Sequence, residues 1–122
     1  KDKIRFLCQG VSDEEQGYEA ILRYVRNTTA VWRMCFMIER SKLIQLGGFV
    51  ENISGYEEID LSLRAIECGL LNVWTCFSSL RLNEKYIVEH EKNVKAFSNR
   101  WGIKIEEGDL FYHPYWNKFK LV

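Results

Sequence analysis

No two of the four cysteines form a C-x-x-C pair. A zinc knuckle needs such a pair, so that class of metal module is excluded. Cys8, Cys35, Cys68 and Cys76 are widely spaced in apolar or helical surroundings, which predicts buried free thiols in a reducing compartment. A basic excess is also missing, because 17 Lys and Arg balance 17 Asp and Glu. Phosphate contacts dominate nucleic-acid binding, so no nucleic-acid partner is expected. No apolar run approaches the ~20 residues of a membrane span. The opening KDKIRFLCQG turns polar too soon for a secretory leader. No internal repeat or linker divides the chain, and a single domain over residues 1–122 is expected. A cytoplasmic location, in solution or at the cytoplasmic face of a membrane, is the expectation that goes with these features.

What is present is a folding composition. Apolar residues make up 47% and aromatics 14%, enough for one modest core. KIRFLCQG reads as a first strand. Ser12 and Glu15 make a capping box ahead of Tyr18, Ile21, Leu22 and Val25, whose spacing predicts a helix over about 13–26. Arg26 to Thr29 breaks it. Ala30 to Glu39 is apolar and aromatic on both alternating faces, which predicts a central strand. Arg33 is its odd member and needs a partner. Trp32 and Trp74 are expected in the core.

Ser41 is expected to cap a short helix, Lys42 to Leu46, ended by Gly47 and Gly48. Phe49 to Gly55 is loop. A clear helix follows from Tyr56 to Cys68, with Ile59, Leu63, Ile66 and Leu70 on one stripe and Gly69 as its left-handed cap. Asn72 to Phe77 reads as a strand. Ile87, Glu91, Val94, Phe97 and Trp101 keep helical spacing to about Arg100, with Gly102 as the stop. The aromatic tail DLFYHPYWNKFKLV holds the only proline, and its rings are expected to cover the sheet. Alternating helices and strands predict an α/β layered fold.

Glu57, Glu58 and Asp60 put three carboxylates within four positions. Helix physics alone accounts for them, since the first turn favours negative charge and Asp60–Arg64 has ion-pair spacing. Geometry also allows chemistry. Glu57 and Asp60 would point in similar directions and Glu58 about 100° away, so one carboxylate can face a cleft while another braces the helix. Gly47, Gly48 and Gly55 would let a loop approach a ligand closely. A general base needs such a held carboxylate.

The run R-S-K-L-I-Q-L-G-G-F-V-E, then G-Y-E-E-I-D-L-S-L-R-A, then G-L-L-N-V-W, resembles the C-terminal half of family 2 glycosyltransferases, which have a GT-A fold. Arg100-Trp101-Gly102 and the tail D-L-F-Y-H-P extend the resemblance, which covers about Ala30 to Tyr115. It implies a partial GT-A layered sheet and transfer of a sugar, with inversion, from a nucleotide-sugar donor to a hydroxyl of a glycan or lipid-linked acceptor. It implies Glu58 as general base with Glu57 beside it. Gly47, Gly48, Phe49, Tyr56, Asp60 and Arg64 are implied on the substrate side. A divalent metal, Mg or Mn, is implied in the full enzyme.

The chain departs from the pattern at several places. Glu58 stands for the usual aspartate, Val50 for the aspartate of G-G-F-D, and Arg33 for a small residue. The family often has a histidine some two dozen residues after the base. Ungapped counting reaches Leu82, whereas His90, a candidate metal ligand, matches with an insertion of eight residues. The donor-binding half with its D-x-D is not within these residues. Glu58-Ile59-Asp60 has that spacing but opens a helix. Two other readings stay open: a non-catalytic module derived from the fold that binds a glycan or a partner protein, and an unrelated regulatory or scaffold domain.

Overall fold

A computed structural model of the chain describes residues 22–53, 55–80, 94–107 and 111. Within them lies a small α/β arrangement of three helices and a two-stranded antiparallel sheet. Strand β1 is Arg26–Thr28 and β2 is Asn72–Trp74. Their register sets Arg26 opposite Trp74, Asn27 opposite Val73 and Thr28 opposite Asn72. The Arg26 guanidinium lies 5.0 Å from the centre of the Trp74 ring, a cation–π contact that fastens the outer pair.

Helix α1 is Arg40–Gln45, α2 is Glu57–Glu67 and α3 is Val94–Glu107; a single 3₁₀ turn, Glu51–Ile53, joins α1 to α2 and packs on α3. The ends of α1 and α2 follow from their glycines. After α2, Gly69 takes φ 75° and its N–H donates to Ile66 O, while Leu70 N–H donates to Ala65 O. These two bonds satisfy carbonyls that the helix cannot, and Leu70 then packs back onto the cluster of Leu46, Leu61 and Ala65. The same pair of bonds closes α1, from Gly47 to Ile44 O and from Gly48 to Leu43 O.

The core is built around α2. One cluster joins Tyr56, Ile59 and Leu63 to Phe97 and Trp101 of α3. A second joins Leu61 and Ala65 to Leu46, with Phe36, Ile38 and Leu43 packed against it. Every residue from Glu58 to Leu63 is buried. The single apolar stripe expected from the spacing is therefore only half of what α2 buries, and Ile66 of that stripe is only half-buried.

Several expected elements differ. Ala30 to Glu39 forms no strand. Its backbone groups find partners elsewhere: Val31 N–H donates to Ser62 Oγ at 3.2 Å, and Cys35 N–H turns back to Trp32 O. Just before the segment, Thr29 O accepts from Asn72 Nδ2, which also donates to Ser62 O, tying the segment's entry to α2 without a ladder. Alternating exposure survives only from Met34 onward, with Cys35 and Met37 exposed and Met34, Phe36 and Ile38 half-buried, whereas Val31, Trp32 and Arg33 are all half-buried. Arg26 belongs to β1, so the first helix does not reach it. Helix α1 starts at Arg40 with Glu39 as its N-cap residue, and Ser41 sits inside it, donating to the Glu39 carboxylate. The strand after α2 stops at Trp74. Helix α3 continues through Gly102 to Glu107, because packing of Phe97 and Trp101 outweighs one glycine. Cys35 and Cys68 are exposed and Cys76 half-buried, so these thiols are not core residues. Trp32 and Trp74 are half-buried; Trp101 is the fully buried tryptophan of the described residues. The first strand, most of the first helix, His90 and nearly all of the tail lie outside the described residues. No described helix is long and apolar enough to cross a membrane.

Candidate functional site

The start of α2 and the segment before α1 enclose a cleft of about 340 Å³ lined by Arg33, Phe36, Phe49, Glu57 and Glu58. Phe49 arrives there because the left-handed Gly47 and Gly48 turn the chain sharply after α1. It meets Phe36 edge to face, with centroids 6.4 Å apart. The two rings form one wall, and the first turn of α2 forms the other.

The two glutamates have separate duties. Glu57 is partly open to solvent, and its Oε2 accepts the Gly55 N–H at 2.8 Å, bracing the loop before its own helix. Glu58 is 2% exposed. Its Oε1 accepts Arg33 Nε at 3.2 Å, while Oε2, also buried, has no hydrogen-bond partner among the described residues. A buried carboxylate oxygen without a donor is costly and is rare in native structures unless the site has a use for it. Arg33 also donates to Gly55 O and approaches Glu57 Oε2 at 4.0 Å. The charge in the apolar run thus has its partners, and they are the two candidate carboxylates.

Asp60 faces elsewhere. It is wholly buried, and Oδ1 accepts Trp101 Nε1 at 2.8 Å and meets Arg100 Nε at 3.0 Å. Its Oδ2 accepts Arg64 at 2.7 Å. Arg64 then donates to Leu46 O and to Gly48 O, holding the turn that delivers Phe49. Asp60 and Arg64 therefore support the cleft from behind instead of lining it, and Glu57 and Asp60 do not share a direction of use. Tyr56 also lies in the core, stacked on Phe97 at 4.5 Å, and does not line the cleft.

Of the residues expected at the site, Glu57, Glu58 and Phe49 come together, with Gly47 and Gly48 shaping the approach. Sequence reasoning did not place Arg33 or Phe36 in the cleft. A lone cation in an apolar run was the signal for Arg33; Phe36 carried none. The described residues do not fit a divalent metal. They contain no group of three His, Cys, Asp or Glu able to hold one. The cleft pair Glu57 and Glu58 already faces a guanidinium.

No protein-family model matches the chain, and no solved structure matches it. It is similar to a protein of Sinorhizobium fredii described as uncharacterized protein y4gI, 28% identical over 113 residues. The match takes in 83% of this chain and 12% of that protein, so the chain spans about an eighth of its relative's length.

Proposed function

We propose that this chain is the acceptor-side part of an inverting glycosyltransferase, with Glu58 as the general base. The observation that carries the reading is the Glu58 carboxylate: buried, fixed through Oε1, and left with an unpartnered Oε2 beside an aromatic-walled cleft. In the proposed step an acceptor hydroxyl donates its proton to Glu58 as its oxygen attacks the anomeric carbon. The bond from that carbon to the nucleotide diphosphate breaks on the opposite face, which inverts the configuration. Arg33 keeps Glu58 in place, Glu57 braces the loop before the helix, and Phe36 and Phe49 cover the apolar face of the acceptor sugar. Further support is the ordered motif set from Gly47 to Gly102. On this reading the α/β arrangement is part of a GT-A layer. The nucleotide-sugar donor, and the Mg or Mn ion that would offset charge on the departing diphosphate, are held by residues outside those described.

The test is sugar transfer by the full-length protein that contains this chain. Glu58→Gln should lower transfer by about 10²–10⁴-fold. Glu57→Gln should cost less, because Glu57 braces a loop. Undiminished transfer by the Glu58 variant would remove the assignment of the base.

One observation favours a second reading. Arg33 bonds Glu58 and lies 4.0 Å from Glu57, as it would in a non-catalytic module that binds a glycan or a partner protein. Glycan binding by the chain, with no transfer by the full-length protein, would select it.

A further inference from the structure

We infer that Arg33 is the resident cation of the cleft and keeps divalent metal off the Glu57–Glu58 carboxylate pair. The inference rests on charge geometry and holds whether or not the cleft transfers sugar. The Arg33 guanidinium is anchored on three sides, by Glu58 Oε1 at 3.2 Å, by Gly55 O, and by Glu57 Oε2 at 4.0 Å. A guanidinium stays charged at any working pH and its planar fork fixes the direction of each donor. A Mg, Mn or Ca ion needs a shell of oxygen ligands at about 2.0–2.6 Å. Entering between Glu57 and Glu58, it would meet a fixed positive charge bonded to Glu58 Oε1 and 4.0 Å from Glu57 Oε2. It would also have to displace the Gly55 N–H from Glu57 Oε2.

The oxygen left over points to what the cleft does accept. Glu58 Oε2 is the acceptor without a donor among the described residues, and the charge on its carboxylate is already answered by Arg33. A neutral hydroxyl or amide N–H can satisfy that oxygen without adding charge. The aromatic wall of Phe36 and Phe49 suits the apolar body of such a ligand. Arg33 is therefore a positioning residue that makes the pair selective for uncharged hydrogen-bond donors over metal ions.

The experiment is a titration of the 122-residue chain with Mn²⁺ alone, followed by electron paramagnetic resonance of the free ion. Arg33→Gln, which removes the charge but keeps an N–H donor near the position of Nε, should bind Mn²⁺ at least about tenfold more tightly than wild type. The gain should vanish in Arg33→Gln/Glu58→Gln. Circular dichroism checks the fold of both variants, Arg33→Met, also neutral, serves where Gln does not fold, and Arg33→Lys is the charged control. Lys keeps the charge, so it should bind Mn²⁺ no better than wild type. Equal Mn²⁺ binding by wild type and Arg33→Gln would overturn the inference. So would a gain that survives the added Glu58→Gln, or a gain in Arg33→Lys as large as about tenfold. None of these readouts involves sugar transfer, so failure here is distinct from failure of the catalytic reading.

Discussion

Asp60 shows how much one residue can organise. Its carboxylate has no exposure, yet it meets two arginines and the indole N–H of Trp101. Taking such a charge out of water is expensive, and the partners repay it only while all of them are present. Asp60→Asn preserves shape but leaves the half-buried Arg64 without its counter-charge. It should cost about 3–5 kcal/mol, measured as a lower urea midpoint with unchanged slope. Arg100 is largely exposed, so solvent screens its share, and Arg100→Gln should cost under about 1 kcal/mol. The spacing of Asp60 and Arg64 made their pairing legible in the sequence, as the apolar run made Arg33's need for a partner legible. The burial of the pair was not legible. It depends on Trp101, 41 residues away, and separation of that kind leaves no local pattern. Phe36 was hidden for the opposite reason: its run looked like a strand, so its ring was assigned to a sheet face.

At the scale of elements, glycine position decides which helices stop. Gly69 ends α2 at φ 75°, with open space where a Cβ would lie, so a side chain there meets only backbone strain. Gly69→Ala should therefore destabilise by about 1–2 kcal/mol. Gly102 has the same open surroundings but lies inside α3, where alanine is the better residue. Gly102→Ala should stabilise by about 0.8–1 kcal/mol. Thermal melts of the two variants should move in opposite directions, and a loss of stability in Gly102→Ala would show that α3 needs a break there. Both glycines look alike in sequence. Gly69 follows a complete apolar pattern and was legible as a cap. Gly102 follows Trp101, whose packing carries the helix onward. The segment from Ala30 to Glu39 failed for a related reason. Its alternation was real, but a strand also needs neighbours to bond; the side chain of Ser62 supplied a bond to that stretch instead, and Asn72 bonds the Thr29 carbonyl just before it.

Among the described residues, α2 is the one element shared by both apolar clusters. Its Ile59 and Leu63 reach α3, while Leu61 and Ala65 reach α1 and the segment before it. The layered sheet expected from alternating elements is reduced, among the described residues, to two strands of three residues each. Such a pair is marginal alone. Among the described residues it is held to α2, through Asn72 to Ser62 O, while Arg26 against Trp74 fastens the two strands to each other. A structure centred on one buried helix has no route for one cluster to melt while the other stays. Phe97→Ala in the first cluster should cost about 3–5 kcal/mol and Leu61→Ala in the second about 2–5 kcal/mol. Each is a large part of the stability of a domain this size. Each should also lower a single transition, seen at the same denaturant concentration by tryptophan fluorescence and by far-ultraviolet circular dichroism. The cleft should be lost in that same step, because Glu57 and Glu58 belong to the helix that both clusters bury. If Leu61→Ala lowered the circular dichroism transition but left the fluorescence transition in place, the clusters would be independent. The cleft would then rest on only one of them.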